Sequence, residues 1–132
     1  MSVKNDSDTL AVDNVSFEVR AGEILGIAGV SGNGQREMAQ AIAGLRPITS
    51  GKVTISGKDL TNAPPSERFT AGLGYVPEDR LGVGLAPRLT VTENAILRCY
   101  KSLRKSIFLV SEQAVNYCKE IIDRFGVRTG PI

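Results

Sequence analysis

The chain has 132 residues, 42% hydrophobic and 23% charged, with a net charge of +2. That is an ordinary single-domain composition, with neither the basic stripe of a nucleic-acid binder nor an acidic tail. No run of about 18 apolar residues would span a membrane, and the polar start MSVKNDSDTL lacks a signal peptide's apolar core, so a cytoplasmic location is expected. There is no histidine, which excludes imidazole-base chemistry for this chain alone. Cys99 and Cys118 fit no metal-ligand spacing and are expected to be free thiols.

In chain order, DNVSFEVR puts Val15, Phe17 and Val19 on one face and Ser16, Glu18 and Arg20 on the other, the pattern of a half-buried strand. Ala21-Gly22 turns the chain. Glu23 to Ala28 is nearly all apolar, as in a strand buried on both faces of a sheet. A glycine loop follows, and from Gln35 the residues Met38, Ala41, Ile42 and Leu45 recur at helical spacing, with Gly44 in the last turn. Turns at Ser50-Gly51 and near Gly57 bracket a strand over Val53 to Ile55. Ala63 to Arg68 reads as a short helix with proline in its first turn. Leu73 to Val76 reads as another strand, leading into the loop PEDRLGVGLAPR. Thr90-x-x-Glu93 has capping-box spacing and opens a helix. That helix would carry Arg98, Lys101, Arg104 and Lys105 on one face, read as solvated rather than as a lipid-headgroup contact. From Ser111, Ala114, Tyr117, Cys118, Ile121, Ile122 and Phe125 mark an amphipathic helix that Gly126 stops.

The loop GVSGNGQRE, residues Gly29, Val30, Ser31, Gly32, Asn33, Gly34, Gln35, Arg36 and Glu37, lies between strand and helix, where a phosphate-binding loop belongs. In the pattern G-x-x-x-x-G-K-[ST], Gly29 and Gly34 hold the glycine positions and Gly32 adds a third. Glycines let successive N–H groups turn toward an anion, and the helix N-terminus adds its partial positive charge. The lysine position is Gln35, which brings no charge. The Ser/Thr position is Arg36, which cannot ligate magnesium. Each lost charge-assisted contact, worth about 1.5–3 kcal/mol, weakens binding by one to two decades. A glycine-rich turn that packs closely and binds nothing stays open on these nine residues alone.

Beyond the loop, AVDNVSFEVRAGEILGIAGVSGNGQ, AIAGLRPITSGKVTISGKDL, GLGYVPEDR and LTVTENAI follow one another in an order and spacing that resemble the ATP-binding subunit of ABC transporters, from Ala11 to at least Ala95. The resemblance is strongest to the second ATPase half of importers for simple sugars or nucleosides. Such halves often lack the lysine of the loop (the Walker A motif) and carry an EDR-type Q-loop, as Gln35 and Glu78-Asp79-Arg80 do here. The GNGQ and YVPEDRLG wording is closer to the nucleoside type.

The resemblance implies an α/β fold: part of a P-loop core, an antiparallel β portion and the start of a helical arm. The expected division is a polar segment over residues 1–10, a β-rich and Walker A part over 11–77, a Q-loop-like segment over 78–90 and the start of the arm over 91–132. It also implies ATP, bound weakly, with magnesium in doubt. The implied partners are a membrane permease, another ATPase half and, indirectly, a solute-binding protein, with the chain peripheral at the inner face of the membrane. Glu78 takes the position of the Q-loop glutamine or is a solvated loop acid, and Leu81 to Leu89 either leads to the surface that receives the permease or is a plain surface loop. Asp79 and Arg80 are expected to form a local ion pair. The family's signature, Walker B and switch histidine do not occur, so the chain is read as an N-terminal fragment of the half, inactive as an ATPase by itself. The segment SVKNDSDTL holds no aromatic to stack on adenine. Rival functions are a fully active ATPase half, a docking scaffold that binds no nucleotide, and a P-loop phosphotransferase, for which no acceptor site or later catalytic carboxylate is legible.

Overall fold

The computed structural model describes residues 1–105, 108–109 and 111–130, and its backbone folds into two compact units, Met1–Tyr75 and Val76–Ile132. In the first unit, β1 (Val3–Lys4) pairs antiparallel with β2 (Leu10–Val12), Val3 facing Val12. The turn between them forms because the Asn5 carboxamide accepts the N–H groups of Ser7 and Thr9, each at 3.0 Å. The opening residues are thus tied down: Ser2 bridges to Ser50, its N–H donating to the Ser50 carbonyl at 2.9 Å. Val3, Val12, Met38 and Ala41 form the core, with Met1, Ile42 and Ile48 packed against it.

Helix α1 (Gln35–Ala43) supplies Met38 and Ala41 to that core from one face, as the helical spacing requires. It ends at Gly44, whose φ of 78° places it in the left-handed region and lets Gly44 and Leu45 donate back to the Ala41 and Gln40 carbonyls. A two-residue turn at Ser56-Gly57, both with positive φ, joins β3 (Thr54–Ile55) to β4 (Lys58–Asp59). Helix α2 (Pro65–Thr70) opens on proline and buries Arg68, whose side chain donates to the carbonyls of Ala41, Ile42, Thr61 and Ala63 at 2.6, 2.8, 2.8 and 3.1 Å. It thereby closes the C-terminal end of α1, where carbonyls lack helical partners.

Three expected strands are corrected. Residues 15–19, 23–28 and 73–76 have no ladder in the structure. The apolar run is exposed rather than buried on both faces, with Ile24 97% exposed. A buried strand is defined by the strands beside it, and among the described residues nothing pairs with this run.

In the second unit, Asp79 does not pair with Arg80; its carboxylate accepts the N–H groups of Leu81 and Gly82 at 3.1 and 2.8 Å. An Asx turn inside a glycine-containing loop satisfies the carboxylate locally. Helix α3 (Val91–Ile96) opens with a complete capping box: the Thr90 hydroxyl accepts the Glu93 N–H and the Glu93 carboxylate accepts the Thr90 N–H. The Asn94 side chain accepts from the Ala86 N–H and donates to the carbonyls of Ala86, Leu89 and Thr90, fixing the preceding loop on α3. The basic helical face is also corrected. Helix α3 ends at Ile96, and Arg104–Lys105 form β5, antiparallel to β6 (Phe108–Leu109). Helix α4 (Ser111–Phe125) packs on α3 and buries Ala114 and Cys118, and Gly126, with φ 62°, ends it. Cys99 and Cys118 are free thiols.

Candidate nucleotide site

The candidate loop and the helix behind it belong to the first unit. The Asn33 N–H donates to the Val30 carbonyl at 3.2 Å, closing a tight turn. Gly32 and Gly34 both have φ of 93°, a conformation that costs little for glycine alone. Gly34 meets a second demand: it is buried against β2, where a Cβ would strike the Ala11 carbonyl. As the N-cap of α1 it has no side chain to offer, and in the first turn the Glu37 carboxylate accepts its own N–H. The first intrahelical bond runs from the Met38 N–H to the Gly34 carbonyl at 2.9 Å. A helix opening behind a glycine loop without a side-chain cap is suited to an anion.

The loop's side chains do different work. Gln35 is half-buried, and its Nε2 donates to the Val30 carbonyl at 3.4 Å. Arg36 joins an ion-pair network. Its Nη2 lies 3.0 Å from Glu37 Oε1 and 3.5 Å from Asp6 Oδ2. Arg46 completes the network, donating to Asp6 at 2.6 Å, Gln40 at 3.0 Å and the Lys4 carbonyl at 3.1 Å. The network ties the β1–β2 turn to the first and last turns of α1.

Glu37 is 6% exposed. Burial pushes its carboxyl up, but its own backbone N–H and the Arg36 guanidinium outweigh burial and hold it below the ordinary value of 4.5. The hydrogen bond and charge of Arg46, with a smaller contribution from Arg36, hold Asp6 low as well. Neither Asp6 nor Arg46 belongs to the loop motif. They lie 40 residues apart in sequence, and no local pattern announces the pairing.

An apolar cavity of about 370 Å³ adjoins the loop, walled by Val15, Phe17, Leu25 and Ile27 and floored by Gly29 and Gln35. Phe17 thus stands beside the loop, although the sequence marks it only as a strand residue. Glu78 is exposed and belongs to the second unit. Gln35 brings no charge to the loop, and the Arg36 guanidinium has no oxygen to offer a metal. Among the described residues no group of three or more Asp, Glu, Cys or His could hold a metal ion.

The model of the ABC transporter family matches residues 12–129. The chain is 40% identical over 130 residues to the glucose import ATP-binding protein TsgD13 of Haloferax volcanii, covering 97% of this chain and 24% of that protein. It is 38% identical over 130 residues to the nucleoside import ATP-binding protein NupA of Lactococcus lactis, covering 97% and 26%. It is 37% identical over 131 residues to the guanosine import ATP-binding protein NupO of Bacillus subtilis, covering 98% and 26%. The chain spans about a quarter of the length of these relatives. The family model's match to residues 12–129, with the glycine loop leading into α1, makes this chain a member of the ABC transporter family, with the P-loop type of α/β fold.

Proposed function

We propose that this chain supplies a nucleotide-binding segment to an ABC importer of sugars or nucleosides, and that its loop, Gly29 to Glu37, holds ATP weakly and Mg²⁺ poorly. The observation that carries the reading is a helix N-terminus that opens on glycine, behind Gly32 and Gly34, combined with an Arg36 that is paired with Glu37 and Asp6. The backbone cradle supplies N–H donors and the helix dipole. At residue 35 a neutral carboxamide replaces the cation, and at residue 36 a guanidinium, which cannot ligate a metal, replaces the hydroxyl.

In this reading the loop's site is a degenerate one and hydrolysis belongs to another ATPase half. Residues 78–90, with Glu78 in the Q-loop position, face a membrane permease, residues 91–132 begin the helical arm, and a solute-binding protein delivers cargo to the permease. The names of the relatives, which include glucose, nucleoside and guanosine import, support the solute class. No helix among the described residues is long and apolar enough to cross a membrane, which is compatible with a peripheral place at its inner face.

The test is a titration of MgATP into the ¹⁵N-labelled chain, followed by amide shifts. Millimolar ATP is expected to move the amides of Gly29 to Glu37. No shifts at all would favour a scaffold that takes no nucleotide, and shifts confined to the second unit would place the nucleotide away from this loop.

A further inference from the structure

Gln35 stands at the first position of α1, from which a side chain is free to extend into water. Instead its carboxamide folds back along the loop it follows, and Nε2 donates to the carbonyl of Val30. The amide lies over Gly29, in the space a Cβ would fill. Gly29 is not among the residues with positive φ, so its backbone conformation is open to any residue. Glycine there leaves room for the Gln35 amide, which a Cβ would displace. We infer that Gln35 is a clasp: its side chain bridges the ends of the loop and competes with any phosphate for the cradle.

This inference rests on the loop being an anion cradle, as proposed above. It makes the opposite prediction from a glutamine that helps to bind phosphate. A phosphate ligand, when deleted, weakens binding; a clasp, when deleted, strengthens it. The bond is neutral and, at 3.4 Å, long, so its removal is expected to tighten anion binding by about two- to tenfold. Gly29→Ala acts in the same direction by evicting the amide, while leaving Gln35 in place.

Inorganic pyrophosphate without metal is titrated into the full chain, native and carrying Gln35→Ala, Gly29→Ala or the pair Gln35→Lys/Arg36→Ser, with far-UV circular dichroism confirming that each folds. The expected result is tighter binding by both Gln35→Ala and Gly29→Ala than by the native chain. Equal or weaker binding by Gln35→Ala overturns the clasp. If the Lys/Ser pair binds while Gln35→Ala gains nothing, the cradle stands and the clasp falls. If no chain binds pyrophosphate, the Lys/Ser pair included, the cradle and the clasp fall together.

Discussion

Replacing Arg68 with methionine removes a side chain that closes the end of α1. Arg68 is 2% exposed, and its burial lowers the guanidinium's pKa, the mark of a cation taken out of water. The four carbonyls around it supply the compensation. Of these, Ala41 keeps a second donor, the Gly44 N–H at 3.1 Å. The carbonyls of Ile42, Thr61 and Ala63 lose the Arg68 donor. At roughly 1 kcal/mol for each under-satisfied acceptor the loss is about 3 kcal/mol. The methionine's better-buried apolar stem returns up to about 1 kcal/mol. The net cost is about 2–3 kcal/mol, or a fall in Tm of roughly 8–24 °C for a unit of this size. Arg68→Lys should recover only part of it, because one ammonium cannot reach four spread carbonyls. Urea and thermal unfolding followed by far-UV circular dichroism measure all three chains. A change under about 0.5 kcal/mol in Arg68→Met would refute the reasoning, since a loss that small fits a surface substitution.

Thr90→Ala breaks the capping box and should cost the second unit about 1 kcal/mol, read as faster amide exchange over residues 91–96; unchanged exchange would contradict it. Stability should fall as pH drops below 4.5, because Glu37 has a depressed carboxyl pKa: its contribution is present above the unfolded value and lost as pH falls through the folded one. Asp6 works in the same direction. Urea midpoints of the native chain and Glu37→Gln from pH 7 to 3 test the sign, and the variant's profile should be the flatter.

What could be read from the sequence was what local chemistry decides. Helices α1 and α4 follow from apolar residues at steps of three and four, and both end at a glycine with positive φ, Gly44 and Gly126. Thr90 and Glu93 satisfy each other across one turn, so the cap was visible as a four-residue pattern. Strands are different. Residues 15–19 carry a strand's alternation, yet alternation says which face would be buried and not what would cover it; Phe17 remains 45% exposed. At the candidate loop, glycine spacing pointed to the turn and to α1. The Asp6–Arg36–Arg46 network and the burial of Arg68 were illegible because each joins residues far apart in the chain. The identity of Gln35 was visible, but its fold back over Gly29 depends on a side-chain torsion that no sequence pattern specifies.

The central claim is that the loop keeps a working backbone and has lost its charge and metal contacts. Calorimetric titration of MgATP into the native chain, beside the Gln35→Lys/Arg36→Ser variant, tests it most directly. The native chain is expected to bind weakly or unmeasurably, and the variant's affinity to be higher by at least one to two decades, from charge-assisted contacts of about 1.5–3 kcal/mol each. Tight binding by the native chain, unchanged in the variant, would contradict it and restore the fully active ATPase half.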